Sequence, residues 1–295
     1  MNFISPTAST SNSHKMLARY NKRRMSLNQD NAHWRDDLQE EFDMRLMEGA
    51  LIEEFRREVS APLADLPNDA DAFMRWFEAL REIGPGQGDP LFPWLANEAS
   101  AEQMRWFLLQ EVAGEAGFDD LVALTQIRLP AQAKLELARN YWDEMGRGNA
   151  KAMHGPMLAR VAEAFDIKPD IDDIVWESHA LANLMLGLAA NRRYVYQSVG
   201  ALGAIEMTAP TRVCHVEAGL RRLGVDPHVR QYFSIHATLD VRHSEAWNRE
   251  AIYPLVRANP TLAKPIAEGA LMRLTAGAKC FRRYRRELNL TSIDA

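Results

Sequence analysis

Cysteine is scarce, with only Cys214 and Cys280 among 295 residues. Two thiols cannot build a disulfide framework and lack the paired spacing of a zinc or iron–sulfur site, so any metal here must be held by histidine and carboxylate. Positive charge is also lacking. A formal net charge of -5 leaves no basic footprint, which argues against nucleic acid or an anionic membrane as the main partner. Long apolar runs are missing too: the longest, around LANLMLGLAA, is far too short to span a bilayer, and MNFISPTASTSNSHKMLARYNKRRM has no signal-peptide core. A cytoplasmic location is expected. What is present, 47% hydrophobic and 25% charged residues, is the balance of a soluble globular protein with one large core or two modest domains.

Alternating strand patterns are almost absent, whereas apolar residues recur at helical spacing, as in Leu38, Phe42, Leu46, Ala50 and Leu51 or Phe73, Trp76, Phe77 and Leu80. The fold class read from this is all-α. Residues 1–30 are rich in Ser, Thr, Asn and Arg without apolar periodicity and read as a disordered arm, with no use evident for His14 or Lys15. Residues 31–95 read as an N-terminal helical segment ending in the Gly/Pro loop IGPGQGDPLFP, and 96–295 as the main domain. Helices are predicted over 100–127, 131–146, 149–166, 171–190, 193–208, 211–223, 226–254 and 260–288, with one break at Ala209-Pro210. No period of 20 to 50 residues repeats, so the pattern is a bundle and not a solenoid.

His236, Asp240 and His243 stand at i, i+4 and i+7 in QYFSIHATLDVRHSEAW. At about 100° per residue they share an arc of about 60° on one helix. Burying two imidazoles and a carboxylate unpaired is costly, and a divalent ion removes the cost by coordinating them. Three other places set a ligand type in a core-like context: Gln110-Glu111, then Glu144 with His154, then Glu206. Glu206 is the most telling, because it follows an uncharged stretch from Tyr194 and would otherwise be a lone carboxylate on an apolar helix. Four carboxylates and three histidines from separate helices match the ligand arithmetic of a dinuclear iron or manganese site in a helical bundle.

The order Glu144, His154, Glu206 and His236-x3-Asp240-x2-His243 resembles the heme-oxygenase-like diiron oxidases and oxygenases. FDDLVAL, NYWDEMGRGN and MHGPML look like the iron-containing redox enzyme branch of that family, and the resemblance covers residues of about 100 to 290. It implies a seven-helix heme-oxygenase-like bundle, here with an additional N-terminal helical segment, and a labile non-heme site that holds two Fe(II) ions and activates O2. Manganese is the alternative metal. By resemblance the ligands are Glu144, His154, Glu206, His236, Asp240 and His243, completed by a glutamate on the first core helix. Glu111 and Glu115 both qualify for that last place, and Glu111 is preferred because Glu115 sits between Gly114 and Gly117. Some members carry a glutamate three residues before the first histidine, where this chain has Lys151. The implied substrate is a small molecule, an amino acid or derivative or another carboxylate, undergoing N-oxygenation, C–C cleavage or oxidative rearrangement. Rival readings on such a scaffold are a cofactorless oxidase, a relative that processes thiamin fragments, and a non-catalytic metal-binding protein. Folds of this type are often homodimers.

Several neighbours compete for roles. Asp143 and Glu144 point about 100° apart on a helix, which places Asp143 on the solvated side. His179 reads as a core or cavity histidine and His215 as ordinary. Tyr232 and Trp247 lie one turn before and after the ligand stripe and read as core or pocket wall, while Arg192 and Arg193 read either as a solvated turn or as a fork for a substrate carboxylate.

Overall fold

Helix α10 (Val195–Arg222) is the axis around which the other helices are laid. A computed structural model describes residues 9–27, 33–67, 69–115 and 117–290, excluding the side chains of residues 9, 10, 114 and 115; the described elements are helices and their connections, with no strand among them. Small residues make α10 the axis. Its Gly200 and Ala201, and Gly269 and Ala270 on α13 (Ala263–Glu287), let two backbones touch: a Cβ at Gly200 would lie 1.9 Å from the Ile266 carbonyl oxygen, and one at Gly269 would lie 1.8 Å from that of Gln197. Beside this pair pack α9 (Trp176–Ala190), α4 (Leu91–Asn97) and α11 (Gln231–Ala246).

The N-terminal elements are α1 (Ser9–Met25), α2 (Trp34–Glu58) and α3 (Ala70–Ile83). Helix α1 corrects the expectation of a disordered arm over 1–30, although residues 1–8 and 28–32 lie outside the described residues. Its inward face is carried by Leu17 and Tyr20 together with the buried polar residues His14 and Asn21, so apolar counting misses it. Asn183 on α9 meets part of this polarity: Asn21 Nδ2 donates to Asn183 Oδ1 at 2.8 Å, and Asn183 Nδ2 to the His14 carbonyl at 2.9 Å, while His14 Nδ1 and Asn21 Oδ1 are buried without a hydrogen bond. His14 also stacks on Trp176, and Lys15 pairs with Asp172. On α2 the inward face is Met44, Leu51, Ile52 and Phe55, while Leu38, Phe42 and Leu46 are exposed, because α2 carries two apolar faces and its neighbours cover only one.

The main body adds α5 (Ala101–Glu115), α6 (Phe118–Thr125), α7 (Ala131–Glu144), α8 (His154–Ala164) and α12 (Tyr253–Ala258). The helix predicted over 100–127 is divided, with Gly117 at φ 91° turning the chain into α6. The helix predicted over 226–254 is shorter, starting at Gln231 and passing at Trp247–Ile252 into a π-helical turn. The break predicted at Ala209-Pro210 does not occur. Pro210 gives no N–H to the Glu206 carbonyl, but α10 is buried on both sides of it, and packing outweighs one lost hydrogen bond. No helix among the described residues is long and apolar enough to cross a membrane.

Two apolar clusters result. One joins α2, α3, α9, α10, α12 and α13; the other, with Phe92, Phe107, Phe281 and Tyr284, joins α4, α5, α8, α10, α11 and α13. The second encloses a cavity of about 280 Å³ lined by Phe92, Leu108 and Phe233 and by most of the candidate ligands.

Candidate metal centre

On α7, Glu136, Asn140 and Glu144 repeat every four residues, and all three are buried. Beyond Glu144 the chain must reverse sharply. Gly146, Arg147 and Gly148 all have positive φ, and a Cβ on Gly146 would lie 2.5 Å from the Ala152 backbone, so the sequence MGRGN folds the chain back tightly enough to start α8 at His154. His154 Nδ1 then stands 2.6 Å from Glu144 Oε2. Glu206, buried on α10, accepts a 2.6 Å hydrogen bond at Oε1 from Asn140 Nδ2, which leaves Oε2 turned towards α11.

Helix α11 supplies the stripe. His236 Nδ1 donates to the Tyr232 carbonyl at 2.7 Å, which fixes the tautomer and leaves the Nε2 lone pair for a ligand role. His243 is held the opposite way round: its Nε2 donates to Asp143 Oδ2 at 3.1 Å, while Nδ1 lies 3.5 Å from Glu206 Oε2 and 3.8 Å from Asp240 Oδ1. Asp143 is in turn clamped by Arg147 at 2.6 Å. The solvated side expected for Asp143 is therefore corrected. The residue next to Glu144 reaches the outer edge of the His243 ring, and two successive residues of one helix serve the same site from different directions.

The ligand types converge in two groups. Glu144, His154 and His236 form one and Glu144, Glu206 and His243 the other, with one donor atom from each residue lying within 4.8 Å of the others in its group. Both groups are buried on protein elements and share Glu144. His154 Nδ1 and His243 Nδ1 are buried and make no hydrogen bond, although carboxylate oxygens stand close by. Donor atoms facing one another without aligned protons fit a cation between them better than a hydrogen-bond network. Asp240 lies beside the second group on the cavity wall; Glu111 lines the same cavity but belongs to neither group, and the Glu115 side chain is outside the described residues.

Electrostatics follow from this crowding. Burial, with His154 nearby, pushes the His236 imidazole down to about 4. Burial also disfavours charge on His243, but Glu206, Asp143 and Glu144 outweigh it and raise that ring to about 9. Burial and then the neighbouring Asp120 raise the Asp119 carboxyl, which faces the cavity.

Sequence reasoning missed Asn140, Asp143 and Asp119. Asn140 carried a readable signal, since a polar residue midway between two glutamates at i, i+4 and i+8 marks a buried polar stripe on an otherwise ordinary helix. Arg192 does not serve as a substrate fork: its guanidinium donates to the carbonyls of Leu124, Thr125 and Ile127 and closes the end of α6. His179 and Trp247 are buried as expected, His179 Nε2 meeting the Ile171 carbonyl.

Comparison with known proteins agrees with the geometry. Residues 105–278, well over half of the chain, match the family described as iron-containing redox enzyme. A CADD-like protein of unknown function from Nostoc punctiforme PCC 73102 superposes with a TM-score of 0.58 at 16% identity, over 74% of this chain and 97% of that one. A domain of unknown function with a heme oxygenase-like fold from Shewanella denitrificans OS217 superposes with a TM-score of 0.51 at 13% identity, over 77% and 93%. At such identities these are likenesses of fold. No curated protein matches the sequence.

Proposed function

Because the chain belongs to the iron-containing redox enzyme family and has a heme-oxygenase-like fold, we propose that it is a non-heme diiron enzyme that uses O2 to oxidise a small amino-acid-like or carboxylate substrate. The observation that carries this reading is the pair of buried ligand groups sharing Glu144. A carboxylate common to two histidine-containing groups is suited to bridging two ions, and imidazole with carboxylate suits Fe(II) while leaving positions for exogenous ligands.

In this reading Glu144, His154 and His236 hold one ion and Glu144, Glu206 and His243 the other. Asp240 and Glu111 are the further carboxylates on the wall for coordination positions that those groups leave open. When bound, the iron pair supplies the electrons and the binding site for O2. The chain supplies position: Asn140 orients Glu206, Asp143 fixes the ring of His243 by its N–H, and the Tyr232 carbonyl does the same for His236. Arg147 keeps Asp143 ionised as an acceptor. Leu108, Leu158, Ile205 and Phe233 line the chamber, exclude bulk water and strengthen each polar contact inside it.

Anaerobic titration of the metal-free protein with Fe(II) tests the reading. Two equivalents should bind, and mixing with O2 should give a transient visible absorption that His236→Ala and Glu206→Ala both lose. Binding of a single equivalent, or none with and without candidate amino acids, sinks it.

A further inference from the structure

Five carboxylates line the cavity, namely Glu111, Asp119, Glu144, Glu206 and Asp240, and the metal reading gives most of them an occupation. Arg212 has none there. It is the only arginine or lysine among the described lining residues, in a chamber whose other walls carry carboxylates, the imidazoles of His154 and His236, Tyr232 and apolar side chains.

Its placement is specific. Arg212 follows Glu206 by six residues on α10, so it stands about 9 Å farther along the axis at 1.5 Å per residue. Its guanidinium lies 5.5 Å over the Phe281 ring, and Phe281 meets the cavity-lining Phe92 edge to face at 4.9 Å. An aromatic face under a guanidinium holds its plane by cation–π attraction, and the N–H donors point outward within that plane. Five N–H donors allow the group to serve a protein partner and a ligand carboxylate together.

We propose that Arg212 anchors the substrate by a carboxylate, so that the acid group sits against Arg212 and an apolar body reaches along α10 to the ligand groups around Glu206. This rests on the reading of the cavity as the substrate chamber. One fork-shaped cation at an apolar wall suits a planar carboxylate, which takes two parallel N–H bonds from a single guanidinium. Phe92 and Val213, which also line the chamber, suit an aliphatic or aromatic segment between the two ends. Arg212 is thus assigned to specificity and positioning, apart from the residues that hold iron.

Calorimetric titration of the full-length protein, both metal-free and loaded anaerobically with Fe(II), decides it. The probes are acetate, octanoate, octanamide and octylamine. Octanoate should bind at least about 10-fold more tightly than octanamide and than acetate in both forms. Arg212→Gln should erase the preference for acid over amide with little change in amide affinity, and Arg212→Lys should restore part of it. Arg212→Glu should turn the preference towards octylamine, which loss of a purely structural contact would not do. Equal binding of acid and amide by the wild type, no binding of octanoate at millimolar concentration, or an acid preference that survives Arg212→Gln overturns the proposal. A preference seen only in the iron-loaded form also overturns it, since the carboxylate is then held by metal. Iron stoichiometry separates the two readings: if the wild type takes up no iron, the diiron reading falls, while the metal-free acid-to-amide ratio still judges Arg212. Should the Gln variant fail to fold, the Lys variant and the wild-type ratio decide.

Discussion

The two sides of α10 solve opposite problems. Towards α13, Gly200 and Gly269 bring backbones into contact and leave no room for even a methyl group. Towards α11 and Asn140 of α7, the same helix presents Glu206 to the buried His243 ring, whose Nδ1 makes no hydrogen bond although Glu206 Oε2 stands 3.5 Å away. The first seam is complete as protein. The second gathers carboxylate and imidazole donors within reach of one another, and the contrast sets a seam closed by packing against one lined with candidate ligands.

The largest effect should come from breaking the first seam. Gly269→Ala forces a Cβ into the Gln197 carbonyl and should cost about 3 kcal/mol, read as a lower urea midpoint, while molecules that remain folded keep the wild-type iron stoichiometry. Asp143→Ala strikes the second seam. Freed from its carboxylate, His243 should hold iron about 10- to 100-fold more weakly, measured by anaerobic titration, with the urea midpoint of the metal-free protein moving much less than in Gly269→Ala.

Acid and alkali should separate the regions next. His14, in the α1–α9 contact, is lowered to about 4 by burial and then by His179, so below its ordinary value of 6.5 the unfolded chain binds a proton that the folded one refuses. Stability should fall as pH drops from 6.5 towards 4, by about 1.4 kcal/mol per pH unit for each such group, and His236 adds to the same limb. His243 has the opposite sign. Raised to about 9, its contribution in the metal-free protein is fully present below 6.5 and lost as pH climbs through 9. In urea titrations across pH, His14→Phe should flatten part of the acid limb and leave the alkaline limb unchanged. The smallest effect is expected of Arg147→Ala: Arg147 is solvent-exposed, and its loss should weaken iron binding a few-fold at most.

The convergence of the candidate ligands was legible because lone polar residues at helical spacing contradict an apolar face, and Glu206 on its uncharged stretch needed no partner to be noticed. Asp143 was not legible. Its role depends on the far edge of an imidazole one hundred residues away, and helical angles alone assigned it to solvent. Helix α1 escaped because half of its inward face is polar and packs against Asn183, a residue that only the folded chain brings near. Pro210 was misjudged for a related reason: local propensity marks a break, and burial on both sides of the proline carries the helix through. The register change at Trp247–Ile252 had no sequence signal of its own.

Glu206 and Asp143 grip opposite edges of the His243 ring, which in the metal-free chain keeps its proton up to about pH 9. That proton is a place-holder. An ion lodging at Nδ1 must evict it, so loading acidifies the surroundings and becomes easier as pH rises, while acid acts as a competing ligand. On the proposed diiron reading, proton and metal ion then alternate between the same carboxylates, and uptake and release of metal become a matter of proton supply.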